Sequence, residues 1–270
     1  MKVAVVGVAG RMGRALVRLL DAHPILELSA AVARPGSNAV GRDAGELGGL
    51  PDTGVLVVDS LADAVKASDL VIDFSTPETT MATVRLCLAD SRPLVIGTTG
   101  FTQPDLETLN TAAGQLPIVL APNMSVGVNL TFKLVEIAAK ALGDEVDVEV
   151  IEAHHRHKVD APSGTAVRMG EILAATLGRN LEQDAIYGRQ GQTGPRERKT
   201  IGFSTIRGGE IIGEHTVMFA GAGERLELTH RAQSRDSFVE GALRAALFVA
   251  DKHEQKQVGL FDMQDVLGLR

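Results

Sequence analysis

An α/β protein of two domains, a doubly wound parallel sheet followed by an α+β domain with a mixed or antiparallel sheet, is predicted by three features of this 270-residue sequence. Apolar strand runs alternate with helix-period patterns through the first half, glycines cluster at the first strand-to-helix turn, and the second half changes to period-two segments divided by glycine turns. Residues 2–6, KVAVV, make a short buried-strand run, and residues 11–23 follow as a helix. Residues 26–33 read as a second strand and DLVIDFS (69–75) as a further buried one. Residues 77–90 read as a helix with Thr76 as cap and Pro77 at its first position, where a missing N–H costs nothing. PLVIGTTG (93–100) and PIVLAPN (117–123) repeat the strand pattern on either side of a helix opening near Pro104. Strands alternating with helices demand right-handed crossovers, hence a parallel sheet.

After a helix over about 128–142, the segments VDVEVIEAHH, TIGFSTIR, EIIGEHTVMF and RLELTHRA alternate with period two. Gly208-Gly209 and AGAG (220–223) supply the tight turns expected to join them. A final helix over about 237–252 carries Phe238, Ala242, Ala245 and Val249 on one stripe and is expected to rejoin the first domain. The division that follows is 1–126 with 238–270 for the first domain and 127–237 for the second. Residues 189–199, rich in Gly, Gln and charge, read as a mobile surface loop.

Composition narrows the function. With 27 basic and 34 acidic residues the net charge is −7, which argues against a surface built for nucleic acid or anionic lipid. A hydrophobic share of 44% supports a sizeable core. The lone cysteine, Cys87, cannot form an intramolecular disulfide and falls on the apolar face of a helix in MATVRLCLAD, as suits a reducing cytosol and a cytoplasmic protein. The opening MKVAVVGVAG is not expected to be a secretory signal, because Arg11 and Arg14 interrupt it and no cleavage region follows. No segment approaches the roughly 20 apolar residues of a membrane helix.

The glycines Gly7, Gly10 and Gly13 stand directly after a strand and at the mouth of a helix, the context of a Rossmann-like dinucleotide fingerprint. The first permits a tight turn, the second lets backbone approach a pyrophosphate, and the third lets helix pack on strand. An ordinary strand-to-helix turn is the alternative. The second strand ends at Ala33 and Arg34 with no carboxylate to accept from the 2′-hydroxyl of NAD. Arg34, with Arg11, suits a 2′-phosphate or stacking on adenine, which favours NADPH; a solvated loop arginine is the rival reading. GTTG (97–100) and APNMS (121–125) lie at further strand ends that face the ligand crevice, although both are also compatible with simple turns.

EAHHRHKVDAPSGTA (152–166) is a local concentration of positive charge on an acidic protein. His154 and His155 end a strand, Arg156 to Lys158 lie in a loop, and APSGTA starts a helix with Pro162 and small residues in its first turn. Backbone N–H groups of Ser163, Gly164 and Thr165 at that helix end make an anion site, and the cationic neighbours imply a ligand with one or two carboxylates. A metal site is disfavoured, since Arg156 and Lys158 sit among the histidines and no Cys or acidic pair completes a shell. A solvated basic loop is the plain alternative.

GVAGRMGRAL, VIDFSTPE, IGTTGF, NMSVGVN, EAHHRHKVDAPSGTA and GEHTVMFAGAGERLELTHRAQSR, in this order, closely resemble the 4-hydroxy-tetrahydrodipicolinate reductase (dihydrodipicolinate reductase) family of lysine biosynthesis, from about residue 2 to the closing GLFDMQDVLGL. The resemblance implies NAD(P)H-dependent reduction of 4-hydroxy-tetrahydrodipicolinate to tetrahydrodipicolinate, a small dicarboxylate substrate and a cytoplasmic homotetramer joined through the second-domain sheets. It implies that His154 is the catalytic acid/base, Lys158 the proton donor, and His155, Gly164 and Thr165 the holders of the dicarboxylate. By the same resemblance Gly7, Val8, Ala9, Gly10, Arg11 and Met12, with Gly97, Thr98, Thr99, Ala121, Pro122, Asn123 and Met124, bind cofactor, and Arg34 lies near the 2′-phosphate. Ala33 stands where some members carry an acid, which puts NADH use in question beside NADPH. Cationic His154 and Lys158 suit a reaction in which negative charge builds on a ring and a proton follows hydride. A different amino- or imino-acid dehydrogenase is the enzymatic alternative, and a nucleotide-sensing protein without turnover the non-enzymatic one.

Overall fold

The computed structural model describes all 270 residues. In chain order the elements are β1 (Lys2–Val6), α1 (Arg11–Asp21), β2 (Glu27–Val32), α2 (Ala44–Gly48), β3 (Val57–Val58), α3 (Leu61–Lys66), β4 (Leu70–Asp73), α4 (Pro77–Ala89), β5 (Leu94–Ile96), α5 (Gln103–Ala113), β6 (Pro117–Leu120) and α6 (Val126–Leu142). There follow β7 (Asp147–His154), α7 (Gly164–Leu177), α8 (Leu181–Asp184), β8 (Ala185–Tyr187), β9 (Ile201–Arg207), β10 (Glu214–Ala220), β11 (Arg225–Arg231), α9 (Asp236–Glu254), β12 (Gly259–Phe261) and α10 (Met263–Val266). The chain divides into two compact units, Met1–Val126 with Arg235–Arg270, and Gly127–Ser234.

The first unit holds a seven-stranded sheet in the order β12-β6-β5-β4-β1-β2-β3, every pair parallel. Burial on both faces explains the near-continuous apolar strands. Along β1, Val3 and Val5 pack with Leu16, Val17 and Leu20 of α1 and with Ala242, Ala245 and Val249 of α9. Ala4 and Val6 join Val65 of α3, Val84 and Cys87 of α4 and Leu109 of α5 on the opposite side. Chain direction along the sheet reverses between β1 and β4, so the turns after these two strands flank the switch point at which α/β sheets receive ligands. The elements absent from the sequence reading here, α2, β3, α3, β12 and α10, are two to six residues long, too short to display a period. A close backbone approach fixes α9 on this unit: a Cβ on Gly241 would lie 1.7 Å from the carbonyl oxygen of Met124, in the loop after β6.

The second unit holds a five-stranded sheet in the order β11-β10-β7-β9-β8. It is mixed, since β7 runs antiparallel to β10 and parallel to β9. AGAG closes a true hairpin, with Gly221 N–H donating to the Glu224 carbonyl at 2.9 Å between paired β10 and β11. Gly208-Gly209 does not: β9 and β10 are separated by β7, so this link crosses a strand instead of forming the expected tight turn between neighbours. Val148 and Val150 of β7 and Val217 and Phe219 of β10 face a core with Val135 and Ala139 of α6 and Met169 and Leu173 of α7. Pro162 falls outside the first turn of α7, because Ser163 is the cap and Gly164 the first helical residue. The loop 189–199 is tethered to the sheet: Arg189 makes a bidentate pair with Glu149, and Arg196 reaches Asp147, Glu149 and the carbonyls of Val148 and Thr200.

The approach of Gly241 to Met124 sets a test. Gly241→Ala is expected to destabilise the protein by about 1–3 kcal/mol through overpacking against rigid backbone, whereas Gly223→Ala, with nothing within 4 Å of the new methyl, is expected to stay within about 0.5 kcal/mol of the parent. Denaturant unfolding of both variants measures the difference.

Candidate active site

In the first unit the loops singled out from the sequence lie at the carboxyl ends of adjacent strands β1, β4, β5 and β6. Gly7 has φ +86°, and a Cβ there would meet the Phe74 carbonyl oxygen at 2.6 Å, so the turn after β1 is glycine's by necessity. Gly13 is equally confined, its Cβ position lying 2.4 Å from the Gly7 carbonyl oxygen and 2.5 Å from the Val8 Cα. Between them Gly10 caps α1 without any side-chain acceptor and no acid enters the first turn. The contrast is instructive, since α2, α3, α4 and α5 satisfy first-turn donors with Asp43, Ser60, Thr76 and Thr102. The start of α1 therefore keeps donors for an anion, and the donor set fits a dinucleotide pyrophosphate. Val8 is buried, Ala9 and Met12 half-buried and Arg11 exposed beside it.

Gly97 holds the β5 loop close to its neighbour, as a Cβ would lie 2.0 Å from the Phe74 ring. Thr98 is buried and accepts from Ser75 N–H at 3.2 Å and Thr80 hydroxyl at 2.9 Å, while Thr99 is exposed. After β6, Ala121 and Met124 are buried, Pro122 is exposed and Asn123 accepts from Ser125 N–H through its side chain. Arg34, two residues beyond β2, is exposed and enters no ion pair; its predecessor Ala33 is buried.

In the second unit the inward stripe of β7 turns from apolar to polar as it leaves the core: Val148 and Val150 are followed by Glu152 and His154, both buried. Glu152, 1% exposed, accepts from both terminal nitrogens of Arg207 at 2.8 Å, from Ser163 N–H at 3.0 Å, and contacts His154 Nδ1 at 2.5 Å. Register sets these neighbours, since His154 pairs with Arg207 across to β9 and Glu152 with His215 across to β10. His215 is buried, with Nε2 3.0 Å from the Ser163 hydroxyl and its ring centroid 5.1 Å from that of His154. Lys158 pairs with Asp160 at 2.8 Å, and Arg207 donates to the Asp160 carbonyl at 2.6 Å. His155 is half-buried, its ring centroid 6.3 Å from that of His157. Gly164 and Thr165 begin α7 behind the Ser163 cap, and Gly164 is exposed.

Two sequence expectations change at this point. Ser163 N–H donates to Glu152 and is not offered to a ligand, so it drops out of the expected anion cradle. The charge expected on His154 is opposed by its surroundings: burial pulls its pKa below the usual histidine value, outweighing the raising effect of Glu152 and helped by the charges of Lys158 and Arg207. The Glu152 carboxyl is held below its ordinary range although burial, the largest single influence, opposes this; Arg207, His154 and Ser163 N–H together prevail. Burial also drives His215 down to about 3, leaving it a neutral hydrogen-bonding ring. Glu152, Arg207 and His215 escaped the sequence reading, although period two already places Glu152 and His154 on the inward face with Val148 and Val150. A general acid/base with a fixed ring, an adjacent ammonium and a helix start offering backbone donors can bind a carboxylate and move protons beside it.

Comparison with known proteins identifies the family. Residues 1–124 match the profile described as "Dihydrodipicolinate reductase, N-terminus" and residues 127–267 that described as "Dihydrodipicolinate reductase, C-terminus". The chain is 57% identical over 268 residues to the 4-hydroxy-tetrahydrodipicolinate reductase of Alkalilimnicola ehrlichii, covering 99% of each chain. It is also 57% identical to that of Methylococcus capsulatus over 270 residues, 100% of this chain and 99% of the other. The solved dipicolinate-bound dihydrodipicolinate reductase of a Paenisporosarcina species superposes with a TM-score of 0.75 at 27% identity, covering 97% of both chains. Matched from end to end by both halves of the family, the chain belongs to the dihydrodipicolinate reductases.

Proposed function

We propose that this chain is an NAD(P)H-dependent oxidoreductase that reduces (4S)-4-hydroxy-2,3,4,5-tetrahydrodipicolinate to 2,3,4,5-tetrahydrodipicolinate in the diaminopimelate route to lysine. The observation that carries the reading is the cluster His154, Lys158 and the first turn of α7 within a chain matched end to end by the family. The reduced nicotinamide, when bound, supplies the hydride. Gly7 to Met12, Gly97 to Thr99 and Ala121 to Met124 hold the dinucleotide, with its pyrophosphate at the uncapped start of α1. His155 and the backbone donors of Gly164 and Thr165 hold the substrate's carboxylates. A dianion placed there favours the protonated imidazole of His154 over the neutral ring that burial otherwise imposes. His154 then acts as acid/base and Lys158 as proton donor, turning from Asp160 to the substrate.

NADPH is favoured over NADH because Arg34 extends from the end of β2 without a partner while Ala33 offers no carboxylate to a ribose hydroxyl. The assembly is proposed to be a homotetramer joined through the sheet of the second unit. On the face of β7 and β10 turned away from α6 and α7, Glu149, Ile151 and Met218 line a shallow depression of about 370 Å³ together with Arg189 and Arg196.

The direct test follows NAD(P)H absorbance while a synthase makes the substrate from pyruvate and aspartate semialdehyde; a folded, nucleotide-binding sample that consumes neither cofactor removes the reading. Lys158→Ala is expected to lower kcat by about 10²–10⁴-fold with the NADPH Kd unchanged, measured by steady-state kinetics and fluorescence titration. Arg34→Ala is expected to raise the KM for NADPH selectively, and an equal rise for NADH would assign Arg34 to adenine stacking. Sedimentation velocity is expected to show a tetramer that Met218→Arg splits into smaller species, while a monomeric parent refutes the assembly.

A further inference from the structure

The side chains around Glu152 make a closed set. Its carboxylate accepts from Arg207 twice and from Ser163 N–H, and its remaining contact is the Nδ1 of His154 at 2.5 Å. A carboxylate so supplied with donors stays ionised and only accepts, so the imidazole nitrogen facing it must carry a proton. Neutral His154 is thereby confined to the Nδ1–H tautomer, and its Nε2 is left as the atom able to accept and return a proton. Gly213 lies against the opposite edge of the ring, where an added Cβ would stand 3.1 Å from His154 Nε2 and crowd it. Arg207 couples this set to the loop, because it also donates to the carbonyl of Asp160, whose carboxylate holds Lys158.

We infer that Glu152, clamped by Arg207, is a positioning residue of the reaction: it acts through His154, fixing the ring and its tautomer so that Nε2 is the working nitrogen. The inference rests on the acid/base role given to His154 above. The charged groups facing this imidazole are Glu152 on its own strand, Arg207 on β9 and Lys158 in the loop, with neutral His215 on β10. Burial, with Lys158 and Arg207, lowers the pKa of His154 against the raising effect of Glu152, so the carboxylate's part here is to orient the ring.

Glu152→Gln tests this, because the amide preserves shape but presents either a donor or an acceptor to Nδ1. The expected result is a loss of kcat of about 10²–10⁴-fold, the range of a general acid/base contribution, with the upper end set by complete loss of a catalytic histidine's working tautomer. KM should move by less than about fivefold and NADPH affinity should not move, since KM and Kd report binding rather than proton transfer. The limb of the kcat/KM–pH profile that reports His154 should shift to lower pH, as the influence that raised its pKa is gone. Nitrogen-15 NMR of the parent at neutral pH should show His154 as Nδ1–H, replaced by a mixture of tautomers in the variant. A retained kcat with a lowered melting temperature makes Glu152 merely structural and overturns the inference, and so does an Nε2–H tautomer in the parent. If Glu152→Gln does not fold, the parent spectrum alone decides. A parent without turnover condemns the proposed activity instead, while the tautomer still reports on Glu152.

Discussion

A single buried negative charge organises the second unit. Glu152 occupies an inward position of β7 where the strand's period calls for another apolar side chain, and 1% exposure leaves it no water to lean on. Such a charge persists only if the chain surrounds it with donors. Arg207 comes from β9, Ser163 N–H from the start of α7 and the His154 ring from two residues along. Each partner lies in a different segment, so one requirement of electrostatics ties together two strands, a helix start and the loop between residues 155 and 162. Removing one member of a buried pair like this typically costs about 3–5 kcal/mol, because the survivor is stranded.

The two units solve the problem of holding anions with the same economy and opposite means. In the first, α1 follows a glycine and has no side-chain acceptor, so its first-turn donors are unspent. Glycine serves there because Gly7 and Gly13 leave no room for a Cβ between β1, β4 and α1. In the second, the α7 cap is a serine that accepts from Ala166 N–H at 3.2 Å, while its own N–H goes to Glu152. Cationic residues adjoin both starts in the sequence, Arg11 opening α1 in one unit and the loop from Arg156 to Lys158 preceding α7 in the other.

Most of the first unit was legible because its strands are buried on both faces and its long helices carry a clear stripe and a recognisable start, as with Thr76 and Pro77 at α4. Elements of two to six residues, such as β3 and α10, left no periodic trace. In the second unit the strands were legible and their order was not. Chain adjacency suggested that Gly208-Gly209 joins neighbours, but β7 intervenes, and only tertiary packing decides that. At the site, the motif from His154 to Thr165 announced itself by charge, whereas Arg207 lies 55 residues from Glu152 in sequence and no local pattern reveals the pairing. The protonation of His154 was equally invisible, since it depends on burial competing with Glu152, Lys158 and Arg207.

That competition leaves the paired, buried part of a cationic sequence motif close to balance, with Arg156 of the same loop exposed outside the pairs. Two acids, Glu152 and Asp160, are paired with two bases, Arg207 and Lys158, while burial lowers the pKa of His154 and brings that of His215 down to about 3. A cluster balanced in this way attracts little counter-ion at rest. In the proposed reaction, a group from outside that replaces Asp160 as the partner of Lys158 and offsets the desolvation of His154 would favour the imidazolium. A dicarboxylate meets both conditions at once and a monoacid meets one. On the proposed function, a preference for two acidic groups would rest on protonation within the site as much as on its shape, with the ligand itself favouring the acid that it then consumes.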